Sequence, residues 1–360
     1  MYERAQITKP THMHVSHKKE RGGTILRSHH PLVSIIILNF NGRKILRKCL
    51  LNLNSLSYPK YEVIVVDNGS SDGSVEMVKN LFPNVKLIEN KENLGFAEGN
   101  NVGAKVARGK YIAFLNNDAF PTPGWLQKLV GTAEKDPKIA IVGSKIYRYG
   151  SKKIESAGAI ITYPLGVAPG RGAGERDKGK YSEVEEVAYV GGAALLIRKD
   201  VFEKLGGFDS LYFCYHEETD LCWRARLAGY KVIYDPDAIV YHIGSYTSKE
   251  SYFKIYHINR NRIITNIKNL GTKNLFYWAF FEAIYAFLLV CGGLILKQLR
   301  LHAKAEVQGI CWVLCHLPII IARRYKIQKK RVVTDEAVLK LHPKLSLKQL
   351  LREALRDFIS

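Results

Sequence analysis

The chain has 360 residues, of which 47% are hydrophobic, and a formal net charge of +21. That size and apolar content exclude a disordered or disulfide-stapled miniature protein and allow one large domain with an appendage, or two domains. The charge calls for an anionic partner, which leaves nucleic acid, an anionic membrane surface and phosphorylated small molecules.

Residues 1–31 are polar and basic and lack the apolar stretch of a signal peptide, so His12, His14, His17, His29 and His30 read as parts of a solvated, poorly ordered tail rather than a metal site. From Val33 the texture changes. "VSIIILNF" is a continuous apolar run, as in a strand buried on both faces. "GRKILRKCLLNLNSL" has helical spacing at Ile45, Leu46, Cys49, Leu50 and Leu53. "YEVIVVDNGSSDGS" predicts a second buried strand that stops at Asp67. "SVEMVKNLF" reads as a helix, "VKLIEN" as a strand and "AEGNNVGAKVA" as a helix. "KYIAFLNNDAF" predicts a fourth strand ending at Asn116-Asn117-Asp118. A helix follows, with Pro123 near its first turn, and then the strand "IAIVGSKIY".

This alternation predicts βαβ units and a mostly parallel sheet, whose ligands bind at the carboxyl ends of the strands. Three strand ends carry polar residues: Asn39 to Asn41, Asp67 to Asp72, and Asn116 to Asp118. One such cluster would be an ordinary turn; three together predict a site. Neither G-x-G-x-x-G nor G-x-x-x-x-G-K-S/T occurs. A nucleotide would therefore be held without a Gly-rich phosphate loop, and a metal on Asp118 is the candidate substitute.

Residues 150–186 are rich in Gly, Lys, Arg and Glu and read as an exposed mobile loop. "VAYVGGAALLIRKDVFEKLGGFD" predicts a strand, a short helix and a Gly-Gly turn. "HEETDLCWRARLAGY" then places Glu217, Glu218 and Asp220 within four positions. On a helix, Glu217 and Asp220 share a face, Glu218 points about 100° from Glu217, and Asp220 can pair with Arg224. Two readings stay open for the trio: an acid/base centre, or a solvated helix start where the dipole favours acids. A neighbouring negative charge would raise a carboxylate's pKa and make it a better base. "KVIYDPDAIVYHIGS" reads as two short strands and a His, and residues 250–270 as a helix.

The last third is apolar and then basic. Leu275–Leu296 carries one charge, Glu282, and is long enough to span a bilayer; residues 307–321 are a shorter apolar stretch containing Pro318. Residues 297–360 hold fourteen Lys or Arg against five acids, a net of +9. Basic residues beside apolar segments indicate a membrane surface, and no nucleic-acid-binding signature accompanies them. One span would put a basic tail outside, so two helices lying in the interface on the cytoplasmic face fit the charge pattern better. A helical hairpin buried on the catalytic domain is the plainer alternative. "SLKQLLREALRDFI" reads as a final amphipathic helix. The six cysteines show no paired spacing and read as reduced thiols.

Four ordered stretches resemble inverting glycosyltransferases of family 2, and most closely their rhamnosyltransferase-like branch. They are "VSIIILNFNG", "VIVVDNGSSDGS", "NLGFAEGNNVGAKVARGKYIAFLNNDAFPTPGWL", and "YVGGAALLIRKDVFEKLGGFDSLYFCYHEETDLCWRARLAGYKVIYDPDAIVYHIGS", together covering about residues 32–245. The resemblance implies a GT-A nucleotide-sugar-binding domain over residues 32–250, followed by a helical membrane-associating region over 251–360. It implies a nucleoside-diphosphate sugar donor such as dTDP-rhamnose, a glycan or lipid-linked glycan acceptor, a divalent cation (Mg²⁺ or Mn²⁺), and a role in polysaccharide biosynthesis of the cell envelope. Asp67 matches the acid at the nucleotide base, and Asn39, Asn41, Asn68, Asn116, Asn117 and Gly192 fall within the donor-binding motifs. Asn116 stands where the family has the first Asp of its Asp-x-Asp motif. That leaves Asp118 as the cation's carboxylate, with His242 completing its shell. Glu218 matches the catalytic base, with Glu217 beside it. A non-catalytic nucleotide-sugar-binding scaffold is the alternative, and the presence of both Asp118 and Glu218 argues against it.

Overall fold

The computed structural model describes residues 30–168, 170–244 and 251–342. His12, His14, His17 and His29, and the C-terminal amphipathic stretch from 346 onward, lie outside the described residues.

Branched and aromatic runs bounded by Gly, Asn and Asp form the strands, and helices with one apolar face lie between them. In chain order these are β1 (Val33–Asn39), α1 (Arg43–Leu53), β2 (Tyr61–Asp67), α2 (Ser74–Leu81), β3 (Lys86–Glu89), α3 (Gly95–Lys105), β4 (Tyr111–Leu115), β5 (Ala119–Pro121), α4 (Trp125–Ala133), β6 (Ile139–Arg148), β7 (Ile154–Ala157), β8 (Glu185–Glu186), β9 (Ala194–Arg198), α5 (Lys199–Leu205), α6 (Glu217–Leu227) and β10 (Lys231–His242). The helices α7 (Tyr252–Asn269), α8 (Thr272–Ile295), α9 (Arg300–Cys315), α10 (Leu317–Lys329) and α11 (Asp335–Leu339) follow.

The strands join one sheet in the order β3-β2-β1-β4-β9-β6-β10-β5, with β7 beside β6 and β8 beside β10. The expected parallel pairing holds across β3, β2, β1 and β4. Beyond β4 the sheet is mixed, because β9 runs antiparallel to both β4 and β6. The connection into β9 is not a crossover helix but the 150–190 segment, which frees it from the parallel rule. That segment is also not an exposed loop. Ile154, Ala157, Ala159, Ile161, Leu165 and Tyr181 are buried in it, and Lys145 on β6 pairs with Asp177 at 2.9 Å.

Residues 231–242 form one strand rather than two. Its register against β6 shifts between Asp235 and Ile239, where Pro236 has no N–H to donate and a bulge absorbs the interruption.

α1, α2 and α4 cover one sheet face through Leu46, Cys49, Met77 and Leu126. α3, α5 and α6 cover the other, and that core runs on without a break into α7, α8, α9 and α10 through Ile263, Trp278, Val313 and Ile320. α3 lies close on the sheet because a Cβ at Gly103 would meet Ile36 at 2.7 Å and Val66 at 2.9 Å.

The 307–321 stretch is not one segment. The chain breaks at His316, and α10 starts afresh with Pro318 in its first turn, bent 75° from the preceding helix. α8 has two distinct faces. Trp278, Glu282, Leu289 and Gly293 point into the protein, where Glu282 accepts two hydrogen bonds from Arg262 at 2.5 and 2.6 Å. The outer face presents Phe276, Phe280 and Phe287, which are 74%, 63% and 67% exposed.

Candidate functional site

Parallel pairing aligns the ends of β1, β2 and β4, so residues far apart in sequence become neighbours. Asn39 lies opposite Asp67 in the β1–β2 register. Its amide donates to Asp67 Oδ1 at 2.9 Å and to Ser70 Oγ at 3.2 Å, and its Oδ1 accepts from Asn117 Nδ2 at 2.9 Å. Asp67 Oδ2 accepts from the Ser70 N–H at 2.8 Å. Asn39, Asp67 and Asn117 therefore form one hydrogen-bonded chain along the strand ends. Asn41 sits at the exposed rim with φ 50°, where its Oδ1 accepts from Ser71 N–H at 2.8 Å. Asn68 turns away into the protein: its Nδ2 donates to Asn93 and Gly95, and its Oδ1 accepts from Asn90.

The next pair depends on β5 and β10. Their antiparallel register sets His242 opposite Ala119, and Ile243 N–H donates to Asp118 O at 3.1 Å. This brings His242 Nε2 to 3.0 Å from Asp118 Oδ1, while Asn116 Nδ2 is 3.3 Å from the same nitrogen. His242 Nδ1 is 2.8 Å from Glu155 Oε1 on β7. Burial alone would lower the His242 pKa; Asp118 and Glu155 outweigh it and push it up to about 10. Where a divalent cation displaces the proton shared by His242 Nε2 and Asp118, an oxygen and an imidazole nitrogen meet at one point, with the other ring nitrogen held by a carboxylate, and suit that cation. No set of three His, Cys, Asp or Glu side chains closes into a cage among the described residues, so such a cation would take its remaining ligands from a phosphate or water. Glu155 was not singled out by the sequence reading. It lies in a Lys/Glu-rich stretch with no motif, and only the β6–β7 pairing brings it here.

On the α6 side, the acids of "HEETD" divide into three environments. Asp220 is fully buried: Arg224 Nε donates to its Oδ2 at 2.6 Å, and Lys268 Nζ and Asn269 Nδ2 each reach Oδ1 at 2.9 Å. Burial opposes ionisation there, but Arg224 and Lys268 hold its carboxyl well below the ordinary range. Glu217 is also buried, and its Oε2 has no partner. Burial, with Glu218 adding to it, raises its pKa well above the ordinary carboxylate range. The solvated-helix-start reading therefore fails for Glu217 and Asp220. Glu218 is half-buried, and burial pushes its pKa up to about 7. The cause is desolvation rather than the expected repulsion from a charged neighbour. Gly192 faces Glu218: a Cβ there would sit 3.4 Å from its carboxyl carbon. Space for a reacting group at Glu218 thus depends on that glycine. A cavity of about 790 Å³ lies between α3, the 206–210 turn and α10; Arg224 lines it, but none of Glu217, Glu218, Asp118 and His242 does.

The fold is that of the GT-A class of nucleotide-sugar transferases. It superposes on the mannosyltransferase PcManGT from Pyrobaculum calidifontis, solved with GDP-Man and Mn²⁺, with a TM-score of 0.52 at 19% identity over 81% of this chain and 88% of that one. Residues 34–206 match the family described as Glycosyl transferase family 2. Glycosyltransferase AglE of Haloferax volcanii is 30% identical over 223 residues, 59% of this chain and 67% of that protein. N-acetylglucosaminyl-diphospho-decaprenol L-rhamnosyltransferase of Mycobacterium tuberculosis is 26% identical over 235 residues, 59% of this chain and 76% of that protein. The chain belongs to glycosyltransferase family 2. It spans 24% of the length of one longer relative it matches and 67% of another.

Proposed function

We propose that this protein is a metal-dependent, inverting glycosyltransferase that moves a sugar from a nucleoside-diphosphate sugar to a hydroxyl of a glycan or lipid-linked glycan. The observation that carries this reading is that the 192–193 backbone joins two chemistries: Gly192 adjoins the half-buried carboxyl of Glu218 at the start of α6, and Ala193 O accepts from Asn116 N–H at 2.9 Å, beside the Asp118–His242 pair at the strand ends. Asn39, Asp67 and Asn117 bind the nucleotide, with Asn41 and Asn116 at its margin. Asn68 contributes from behind by holding the turn. Asp118 and His242 would hold a divalent cation, which supplies charge compensation for the diphosphate leaving group. Glu218 accepts the acceptor hydroxyl's proton as that oxygen bonds to the anomeric carbon. The bond from that carbon to the β-phosphate oxygen breaks, its electron pair stays on the phosphate, and attack opposite the leaving group inverts the configuration.

The name of the mycobacterial relative supports a lipid-linked saccharide as acceptor and an activated rhamnose such as dTDP-rhamnose as donor. The outer face of α8 supports docking at the cytoplasmic surface of a membrane. Aromatic side chains face outward, the single acid is paired inward, and Lys297, Arg300 and Lys304 follow the apolar turn. A panel of UDP-, GDP- and dTDP-sugars with Mg²⁺ or Mn²⁺, scored for transfer or hydrolysis, tests the reaction. Absence of Mn²⁺-dependent binding to any of the three nucleoside diphosphates would sink it. Flotation with anionic vesicles tests the surface. Replacing Phe280 and Phe287 by Glu should release the protein, and undiminished flotation would remove α8 from the membrane site.

A further inference from the structure

α7 lies outside the matched family region, yet it carries a row of buried polar side chains: Arg260, Asn261, Arg262, Thr265, Asn266, Lys268 and Asn269. Buried polar groups on a helix face need partners. Several of these reach the segment that leads into Glu217 and Glu218.

That segment is conformationally unusual. Among the described residues, four non-glycine positions have φ in the left-handed region, and three of them are Phe213, Tyr215 and His216, at 61°, 68° and 69°. Bulky side chains resist this conformation, and it persists only where the surroundings impose it. Here the surroundings are identifiable. Asn261 Nδ2 donates to the backbone oxygens of Tyr212, Cys214 and Tyr215 at 3.0, 2.7 and 2.7 Å. Arg260 Nη2 donates to Tyr212 O at 2.8 Å, and Arg260 Nε donates to Asn261 Oδ1 at 2.9 Å, which fixes how the amide is turned. The carbonyl Asn261 does not reach, Phe213 O, accepts from the N–H groups of Phe96 and Ala97 at 2.6 and 3.2 Å, at the start of α3. From the other side, Lys268 and Asn269 hold Asp220 in the first turn of α6.

We propose that Asn261 is a positioning residue for Glu218: its amide imposes the positive-φ backbone of Phe213, Tyr215 and His216 and thereby the direction in which Glu218 leaves the start of α6. α7 is on this account a part of the active site rather than a connector to the membrane helices. The inference rests on Glu218 being the base. A packing role alone would lower stability and leave the chemistry of the folded protein untouched; a positioning role changes the chemistry.

Asn261→Asp keeps the shape and removes both donors, and Asn261→Ser keeps one donor and serves if the first variant does not fold. The expected result is a fall in kcat of about 10²-fold, the scale of an ångström misplacement of a catalytic group. Affinity for UDP, GDP or dTDP with Mn²⁺ should stay within twofold of wild type. Independently of any donor, carbon-13 NMR of carboxyl-labelled protein, with Glu218→Gln to assign the signal, should show the Glu218 titration moving toward the ordinary carboxylate range as the loop opens. A folded variant with wild-type kcat and an unmoved Glu218 titration would overturn the proposal. Glu218→Gln that still turns over would instead overturn the base assignment on which it stands.

Discussion

The proposed donor side and the proposed base side of the site are built on opposite principles. At the strand ends, neutral asparagines and one aspartate bond to each other and to turn N–H groups a few residues away, and part of the cradle stays open to solvent. Around α6 the partners are charged, buried and drawn from α7, about 50 residues downstream. The open rim of the cradle, at Asn41, Asn116 and Asn117, tolerates imperfect pairing because water can substitute. A buried charge does not, since removing its partner leaves it uncompensated. The base side should therefore be the more brittle half, in chemistry and in stability.

The largest effect that would break this contrast is on the base itself. Glu218→Gln should lower kcat by about 10³- to 10⁴-fold while leaving Mn²⁺-dependent nucleotide binding in place, as titration calorimetry can read. Next is stability. Asp220→Ala leaves Lys268 and Arg224 without their shared carboxylate, and the expected cost is about 3–5 kcal/mol in denaturant unfolding, against about 1 kcal/mol for Asn117→Ala at the half-buried rim of the cradle. Equal losses would erase the distinction.

On the donor side, Asp118→Asn or chelation with EDTA should abolish Mn²⁺-dependent nucleotide binding. Glu155→Gln, which weakens the hold on His242 Nδ1, should cost about 10- to 100-fold in Mn²⁺ affinity, measured by the electron paramagnetic resonance of free Mn²⁺. The smallest effect concerns pH. A base must be ionised to accept a proton, so kcat/KM should rise with pH through the Glu218 value near 7 and fall away below it. Because burial rather than Glu217 raises the Glu218 value, Glu217→Gln should leave this acid limb where it is. A limb displaced by a full unit would mean that Glu217 carries charge and shares the proton.

Local sequence determines a good deal of this protein. Apolar runs ending in Asn39, Asp67 and Asn116–Asp118 define the strands and their polar ends, because a strand buried on both faces needs an unbroken branched run and its end needs turn residues. The helical spacing that pairs Asp220 with Arg224 is likewise local. What the tertiary structure decided lies beyond the reach of neighbouring residues. β9 enters antiparallel and makes the sheet mixed. The β5–β10 register delivers His242 to Asp118 across 124 positions, and β7 adds Glu155, which carries no motif of its own. The three acids of "HEETD" are consecutive or nearly so, yet Asp220 ends paired with Arg224 and Lys268 and held low, Glu217 buried and raised well above the ordinary range, and Glu218 half-buried and raised to about 7. Spacing places side chains on a helix, but a carboxyl's charge is set by how much water it loses and which cations reach it, and only the packing of α7 against α6 decides both.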